Sequence, residues 1–123
     1  MGNRATRGAL SYHAGQAAEM QVATDYERRG FTIAHHRWRG PGGEIDLIAR
    51  NAECLVFVEV KASTSFDAAA ARITPRQIDR IFASAAKFLE NEPAGQLTNV
   101  RFDAALVDGS GAVQIIENAF GQG

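Results

Sequence analysis

Acidic side chains and a lysine cluster between Gly43 and Lys61 in a pattern suited to binding a cation. There Gly-Glu-Ile-Asp-Leu-Ile is followed, after a polar break at Arg50–Glu53, by Leu-Val-Phe-Val-Glu-Val-Lys. Both halves have the β-branched and aromatic content and the alternation of strands, and the break has turn composition. Alternation puts Glu44, Asp46 and Ile48 on one face of the first strand. It puts Leu55, Phe57, Glu59 and Lys61 on one face of the second, with Val56, Val58 and Val60 behind them. A two-residue turn at Asn51-Ala52 would set Asp46 opposite Phe57 and Glu44 opposite Glu59. Asp46 and Glu59 would then be diagonal neighbours, roughly 7–8 Å apart at Cα. Two carboxylates at the end of an apolar hairpin repel and lose hydration unless something neutralises them. Lys61 offsets one charge, and a divalent cation clasped by Asp46 and Glu59 would satisfy the rest. The alternative is a surface salt bridge between Glu59 and Lys61 on a solvated face; against it, this Glu-Val-Lys closes a strongly hydrophobic strand and faces an acidic one.

Asp46 followed thirteen residues on by Glu59-Val60-Lys61 resembles the PD-(D/E)XK nuclease signature. The longer strings Gly-Gly-Glu-Ile-Asp-Leu-Ile-Ala and Val-Phe-Val-Glu-Val-Lys resemble one branch of that superfamily, the small YraN-like family of bacterial proteins, over most of the chain from about Gly15 to Phe120. The resemblance implies metal-dependent hydrolysis of phosphodiesters in nucleic acid, DNA before RNA, with structure-selective enzymes such as junction resolvases as relatives. Asp46 and Glu59 would hold Mg²⁺ or Mn²⁺ with the Val60 carbonyl and waters, since Mg²⁺ prefers hard oxygen ligands. Glu19, which matches the family's helical glutamate, would complete the acidic cluster directly or through water. Lys61 would position the attacking water or stabilise charge on phosphorus. Glu44 is a candidate for another metal, and Arg37, Arg39, Arg76 and Arg80 are candidate phosphate contacts. The chain departs from the family at Arg37, where asparagine is usual, at Ala62-Ser63, where Thr-Arg is usual, and at Gln77, where lysine is usual. The cations missing at Ala62, Ser63 and Gln77 keep open a non-catalytic nucleic-acid-binding module of the same fold. A structural or interaction protein with a metal-stapled acidic cluster, and a hydrolase of free nucleotides, are further alternatives.

Residues 1–10 are small, polar and basic and read as a mobile tail; residues 11–120 read as one domain. A helix over Ser11–Arg29 ends at Gly30 in the C′ position. It places Glu19 within a stripe of Gly15, Gln16, Val22 and Ala23, with Tyr12 and Tyr26 a turn further out. Phe31–Trp38 is the first strand, with Phe31 and Ile33 on one face. His35 and His36 cannot chelate one ion together, since adjacent strand residues point apart, and Trp38 reads as packing. Gly40–Gly43 is a tight turn. Ala62–Arg72 has neither period and reads as a mobile loop able to order on DNA. Thr74, Pro75 and Gln77 form a helix start with a capping box, and the capping role by itself accounts for Gln77. Ile78, Ile81, Phe82, Ala85, Ala86 and Leu89 form the apolar stripe of that helix. Asn99–Val107 is a strand returning parallel by a crossover, in which Arg101 and Asp103 either pair structurally or contact substrate. Ala112–Asn118 is an edge strand. The result is an α/β domain of order α-β-β-β-α-β-β, the first three strands antiparallel and the fourth parallel, with helices packed on the sheet. That matches the restriction-endonuclease-like core which the resemblance implies.

Composition sets outer bounds. Apolar residues make up 46% and charged residues 22%, as in ordinary globular domains. The net charge of −1 does not announce a nucleic-acid binder, although eleven of the thirteen basic residues are arginines. The single Cys54 excludes an intramolecular disulfide and fits a reducing compartment. No apolar run approaches the ~20 residues of a membrane span, so the cytoplasm is the expected location. Nothing in the sequence marks a dimer face, and a homodimer stays open.

Overall fold

A computed structural model describes the backbone of residues 4–120 and the side chains of residues 15–120. The elements run α1 (Arg4–Arg28), β1 (Thr32–Gly40), β2 (Gly43–Arg50), β3 (Leu55–Ala62), α2 (Phe66–Ala70), α3 (Pro75–Leu89), a 3₁₀ turn (Gly95–Leu97), β4 (Val100–Val107) and β5 (Val113–Ile116). The five strands form one mixed sheet in sequence order, β3 and β4 parallel and every other pair antiparallel. This is the expected strand order, with one added helix.

Each face of the sheet carries its own core. On one, Ala18, Val22, Ala23 and Tyr26 of α1 meet Leu47, Ala49, Val56, Val58, Ala105 and Val107, with Phe31 and Ile33 packed alongside. On the other, Ala85, Phe88 and Leu89 of α3 meet Ile45, Ile48, Leu55 and Phe57, with Trp38 alongside. Phe88 is the hub there, edge-on to His35, Trp38 and Phe57 with ring centroids 5.2–5.8 Å apart. Each such pair adds about 0.5–1.5 kcal/mol beyond its buried area. Trp38 is thus committed to packing, and His35 lays one edge on the same ring while staying exposed.

Helix ends follow their sequence signals. Gly30, at φ 91°, closes α1 in a Schellman motif: Phe31 N–H donates to the Tyr26 carbonyl and Gly30 N–H to that of Glu27, both at 3.0 Å. Thr74 Oγ1 accepts from Gln77 N–H at 3.2 Å, with Pro75 in the first turn. Three expectations need correction. α1 begins at Arg4 rather than Ser11, because Ala5, Arg7, Ala9 and Leu10 are good helix formers with no proline among them; residues 1–3 of the expected tail lie outside the described residues. The stretch after Ala62 contains α2, capped by Ser65 Oγ accepting from Ala68 N–H, with Ala69 buried. Ser63 N–H donating to the Val107 carbonyl, and Arg72 to the Ala62 carbonyl, pin that segment to the sheet. The buried stripe of α3 is Ile81, Ser84, Ala85, Phe88 and Leu89; Ala86 is exposed.

The Arg101–Asp103 question resolves structurally. Asp103 is fully buried and accepts Arg101 Nε and Nη2 at 2.8 Å each, Tyr26 Oη at 2.7 Å and Asn118 N–H at 2.9 Å. Four donors on one buried carboxylate tie α1, β4 and the chain after β5 together, and burial, then the Asp103 charge, push the Tyr26 phenol up.

Candidate functional site

The turn between β2 and β3 is longer than two residues. Asn51 N–H donates to the Cys54 carbonyl, while Asn51 Oδ1 accepts from Glu53 and Cys54 N–H at 2.9 Å each. The register is therefore Arg50 opposite Leu55, Ile48 opposite Phe57 and Leu47 opposite Val58. One further step sets Asp46 directly across from Glu59 rather than diagonal to it. The shift is of two residues, so it preserves which β3 residues share a face.

Backbone pairing stops at Leu47–Val58, and the reason lies in β2. Leu47 packs in the α1-side core, whereas Ile45 packs in the α3-side core, although two residues apart should share a face. The strand changes phase at Asp46, which corrects the expectation that Glu44, Asp46 and Ile48 alternate regularly. β3 keeps its phase, with Leu55 and Phe57 on the α3 side and Val56, Val58 and Val60 on the α1 side. The two strands can no longer pair, and Asp46 falls in the gap. Its Oδ2 accepts from Val60 N–H at 2.8 Å, in place of a ladder carbonyl. A strand residue's N–H and C=O leave the same edge, so the Val60 carbonyl faces that gap too.

Into this gap come the predicted residues of β3. Glu59 is 7% exposed and its carboxyl is in hydrogen-bond contact with Asp46. Burial first, and Asp46 second, push the Glu59 pKa up to about 9, with Lys61 opposing; Lys61 Nζ lies 3.8 Å from Glu59 Oε1. Glu44, Asp46, Glu59 and Lys61 line a cleft of about 250 Å³ whose far wall is Gln77, Arg80 and Ile81 of α3, with Gly42 and Gly43 at its lip. Arg39, largely exposed, reaches Glu44 at 3.6 Å, and Arg76 is exposed on the first turn of α3.

Glu19 reaches the sheet from α1, on the other layer, and accepts Arg37 Nε at 2.9 Å. Burial raises the Glu19 pKa, the Arg37 hydrogen bond lowers it, and Asp46 raises it again. Among the described residues no three of His, Cys, Asp and Glu converge closely enough to hold a metal ion. The donor set is accordingly two touching carboxylates and a strand carbonyl. Two hard oxygen groups side by side in a cleft suit a divalent ion that keeps several of its waters, as Mg²⁺ does.

Three contributors escaped the sequence reading. Ser84, fully buried, accepts Gly42 N–H at 3.0 Å and donates to the Gly43 carbonyl at 2.8 Å, which clamps the turn before β2 onto α3. A Cβ on Gly42 would collide with the Arg80 carbonyl, so only glycine lets the turn sit there. A polar residue spaced between Ile81 and Phe88 was the available signal, since a buried hydroxyl must find partners. Gln77 is the second. One orientation of its amide completes the capping box, accepting Thr74 N–H at 3.3 Å. The other accepts Lys61 Nζ at 2.8 Å and donates to the Arg72 carbonyl at 3.1 Å; it satisfies both ends of the amide with shorter bonds and is the one adopted below. The capping role is thus not the whole account of Gln77. The third is the backbone of Arg37, whose φ of 51° is left-handed within a strand. Arginine gives no sequence cue for it, whereas the asparagine usual in the resembled family tolerates that conformation.

The model of an uncharacterised protein family, UPF0102, matches residues 18–107, which hold all of these groups. A UPF0102 protein of Cereibacter sphaeroides is 60% identical over 113 residues, covering 92% of this chain and 97% of the relative. One of Ruegeria pomeroyi is 56% identical over 119 residues, 97% of each chain. One of Dinoroseobacter shibae is 42% identical over 115 residues, 94% of this chain and 86% of the relative.

Proposed function

The chain belongs to the uncharacterised protein family UPF0102, and we propose that it is a divalent-metal-dependent phosphodiesterase acting on nucleic acid, DNA in the first place, on a restriction-endonuclease-like PD-(D/E)XK core. The observation that carries this reading is the gathering of Asp46, held by Val60 N–H at 2.8 Å, with buried Glu59 and Lys61, 3.8 Å apart, in one cleft at the splayed end of β2 and β3. A merely structural ion pair would not need a second acid beside it.

Asp46, Glu59 and the Val60 carbonyl would hold Mg²⁺ or Mn²⁺. Bound there, such an ion supplies polarisation of a phosphoryl oxygen and a water of lowered pKa. The chain's own groups do the rest. Val60 N–H holds Asp46 in the gap, so its second oxygen is aimed without rotamer freedom. Lys61, steadied by Gln77 Oε1, presents an ammonium to the developing negative charge on the phosphate oxygens. Arg80 on the cleft wall and Arg39 at its rim supply guanidinium groups to flanking phosphates. Glu19 acts through Arg37 and not as a direct ligand.

The test is cleavage of labelled single-stranded, duplex, flapped and four-way-branched DNA in Mg²⁺ or Mn²⁺, with Lys61→Ala and Asp46→Asn prepared in parallel. Cleavage by the wild type alone supports the enzyme. A folded protein that cleaves none of the four, yet retains DNA in a salt-dependent manner, favours the second reading, a non-catalytic nucleic-acid-binding module. One observation supports that alternative: position 77 places a neutral amide, not a second cation, against Lys61.

A further inference from the structure

Arg37 lies at the register position opposite Asp46, between the paired His36–Leu47 and Trp38–Ile45. The phase change in β2 is matched in β1. His36 and Trp38 should share a face, as Leu47 and Ile45 across from them should. Leu47 nevertheless packs on the α1 side, while Ile45 and Trp38 pack on the α3 side. The pairing sums stay constant through this point, so no residue is inserted; the ribbon turns over as a unit. The one residue there with a conformation able to turn it is Arg37, at φ 51°. The left-handed region is open to glycine, tolerable for asparagine and worst for β-branched side chains. The Arg37 guanidinium then reaches α1 and hydrogen-bonds Glu19 at 2.9 Å, which fastens the turned-over ribbon to the helix.

We propose that Arg37 is the positioning residue of Asp46: its left-handed backbone flips the β1–β2 ribbon and thereby drops the Asp46 carboxylate into the gap against Val60 N–H. This deepens the reading above, in which Asp46 is a site carboxylate, and gives Arg37 a role through conformation rather than charge. The site is built by breaking strand alternation at one point, and residue 37 is where the break is made.

The test compares Arg37→Gly, which keeps the left-handed conformation and removes the charge, with Arg37→Val, which removes both. Two readouts are taken: hydrogen exchange of the Val60 amide relative to Val56 and Val58 on the same strand, without metal, and Mn²⁺ affinity by electron paramagnetic resonance. Arg37→Gly is expected to keep the relative Val60 protection and to bind Mn²⁺ within about twofold of wild type. Arg37→Val is expected to lose the Val60 protection selectively, by about tenfold or more, and to bind Mn²⁺ about ten- to hundredfold more weakly. If Arg37→Val does not fold, Arg37→Ala gives the same comparison in milder form. Equal losses in the glycine and valine variants would assign the effect to charge and overturn the proposal. Unchanged Val60 protection in the valine variant would overturn it too. Should no protein bind Mn²⁺ while the Val60 pattern follows the backbone, the metal reading fails and the positioning role stands.

Discussion

Replacing Glu59 by glutamine in metal-free protein should make the fold more stable, because the site holds a carboxyl where the fold alone would not place one. Burial and Asp46 push the Glu59 pKa from an ordinary 4.5 up to about 9. Between those values the folded protein keeps a proton that the unfolded chain releases, so stability is full below about pH 4.5 and falls as pH rises towards 9. Each pH unit in that window removes about 1.4 kcal/mol, or about 3 kcal/mol by pH 7. Glutamine does not titrate and can donate to Asp46 much as the protonated acid does. Glu59→Gln should therefore match wild type near pH 4.5 and exceed it by up to about 3 kcal/mol at pH 7 in EDTA, a difference of about 10 °C in Tm for a chain of this size. Thermal melting of both proteins from pH 4.5 to 9, taken as a difference, cancels the other titrating groups. Mg²⁺ should then restore wild type and not the variant, more so at pH 8.5 than at pH 6, since binding displaces the shared proton. A pH-independent difference, or a variant less stable than wild type at pH 7, would refute the claim that the two acids are forced together.

Lys61→Ala should lower the cleavage rate by about 10²–10³-fold while leaving Mn²⁺ and DNA retention nearly intact, as read by single-turnover kinetics and by binding at fixed salt. Gln77→Leu should lower kcat by about tenfold with KM little changed, and Gln77→Glu should recover part of it, because either an amide or a carboxylate oxygen can hold Lys61 Nζ. Ser84→Ala leaves Gly42 N–H and the Gly43 carbonyl without their shared partner; denaturant melts should report a loss of about 1–3 kcal/mol. Tyr26→Phe removes one donor from buried Asp103 and should lose about 1.5–3 kcal/mol, whereas Asp103→Ala strands Arg101 and should lose about 3–5 kcal/mol, with DNA cleavage by the surviving folded fraction unchanged in each.

The elements that obey one local rule at a time were legible. Gly30 behind a helix, Thr74-Pro75 before one, and the alternating Val-Phe-Val of β3 each carry a signal set by neighbours within a few residues, and each appears in the structure where its signal lies. Errors arose where a distant partner decided the outcome. Ala62–Arg72 has no period of its own because the short helix α2 is too small to show one, and it is fixed by bonds to β4 rather than by its composition. Ser84 sits where the helical stripe of α3 calls for an apolar side chain, and the backbone it serves is more than forty residues away in sequence.

Asp46 is the instructive case, because its surroundings differ from those that the sequence implies. Strand alternation placed it on a face with Ile48, and that rule holds only while φ and ψ stay in the β region. At the point opposite Asp46 the chain leaves that region, at an arginine that advertises nothing. Had alternation continued, Asp46 would pack on a regular face and Ile45 would pair with Val60, giving a longer, more stable ladder without a cleft. The same local departure therefore shortens the β2–β3 ladder and frees the Val60 edge for the Asp46 carboxylate. A fold that gives up pairing energy at one end of its central hairpin, and raises the pKa of a buried acid in doing so, leaves a cost that a bound cation would offset. On the proposed metal reading, wild-type stability should depend on Mg²⁺ and that of Glu59→Gln should not, which is a test of function that needs no substrate.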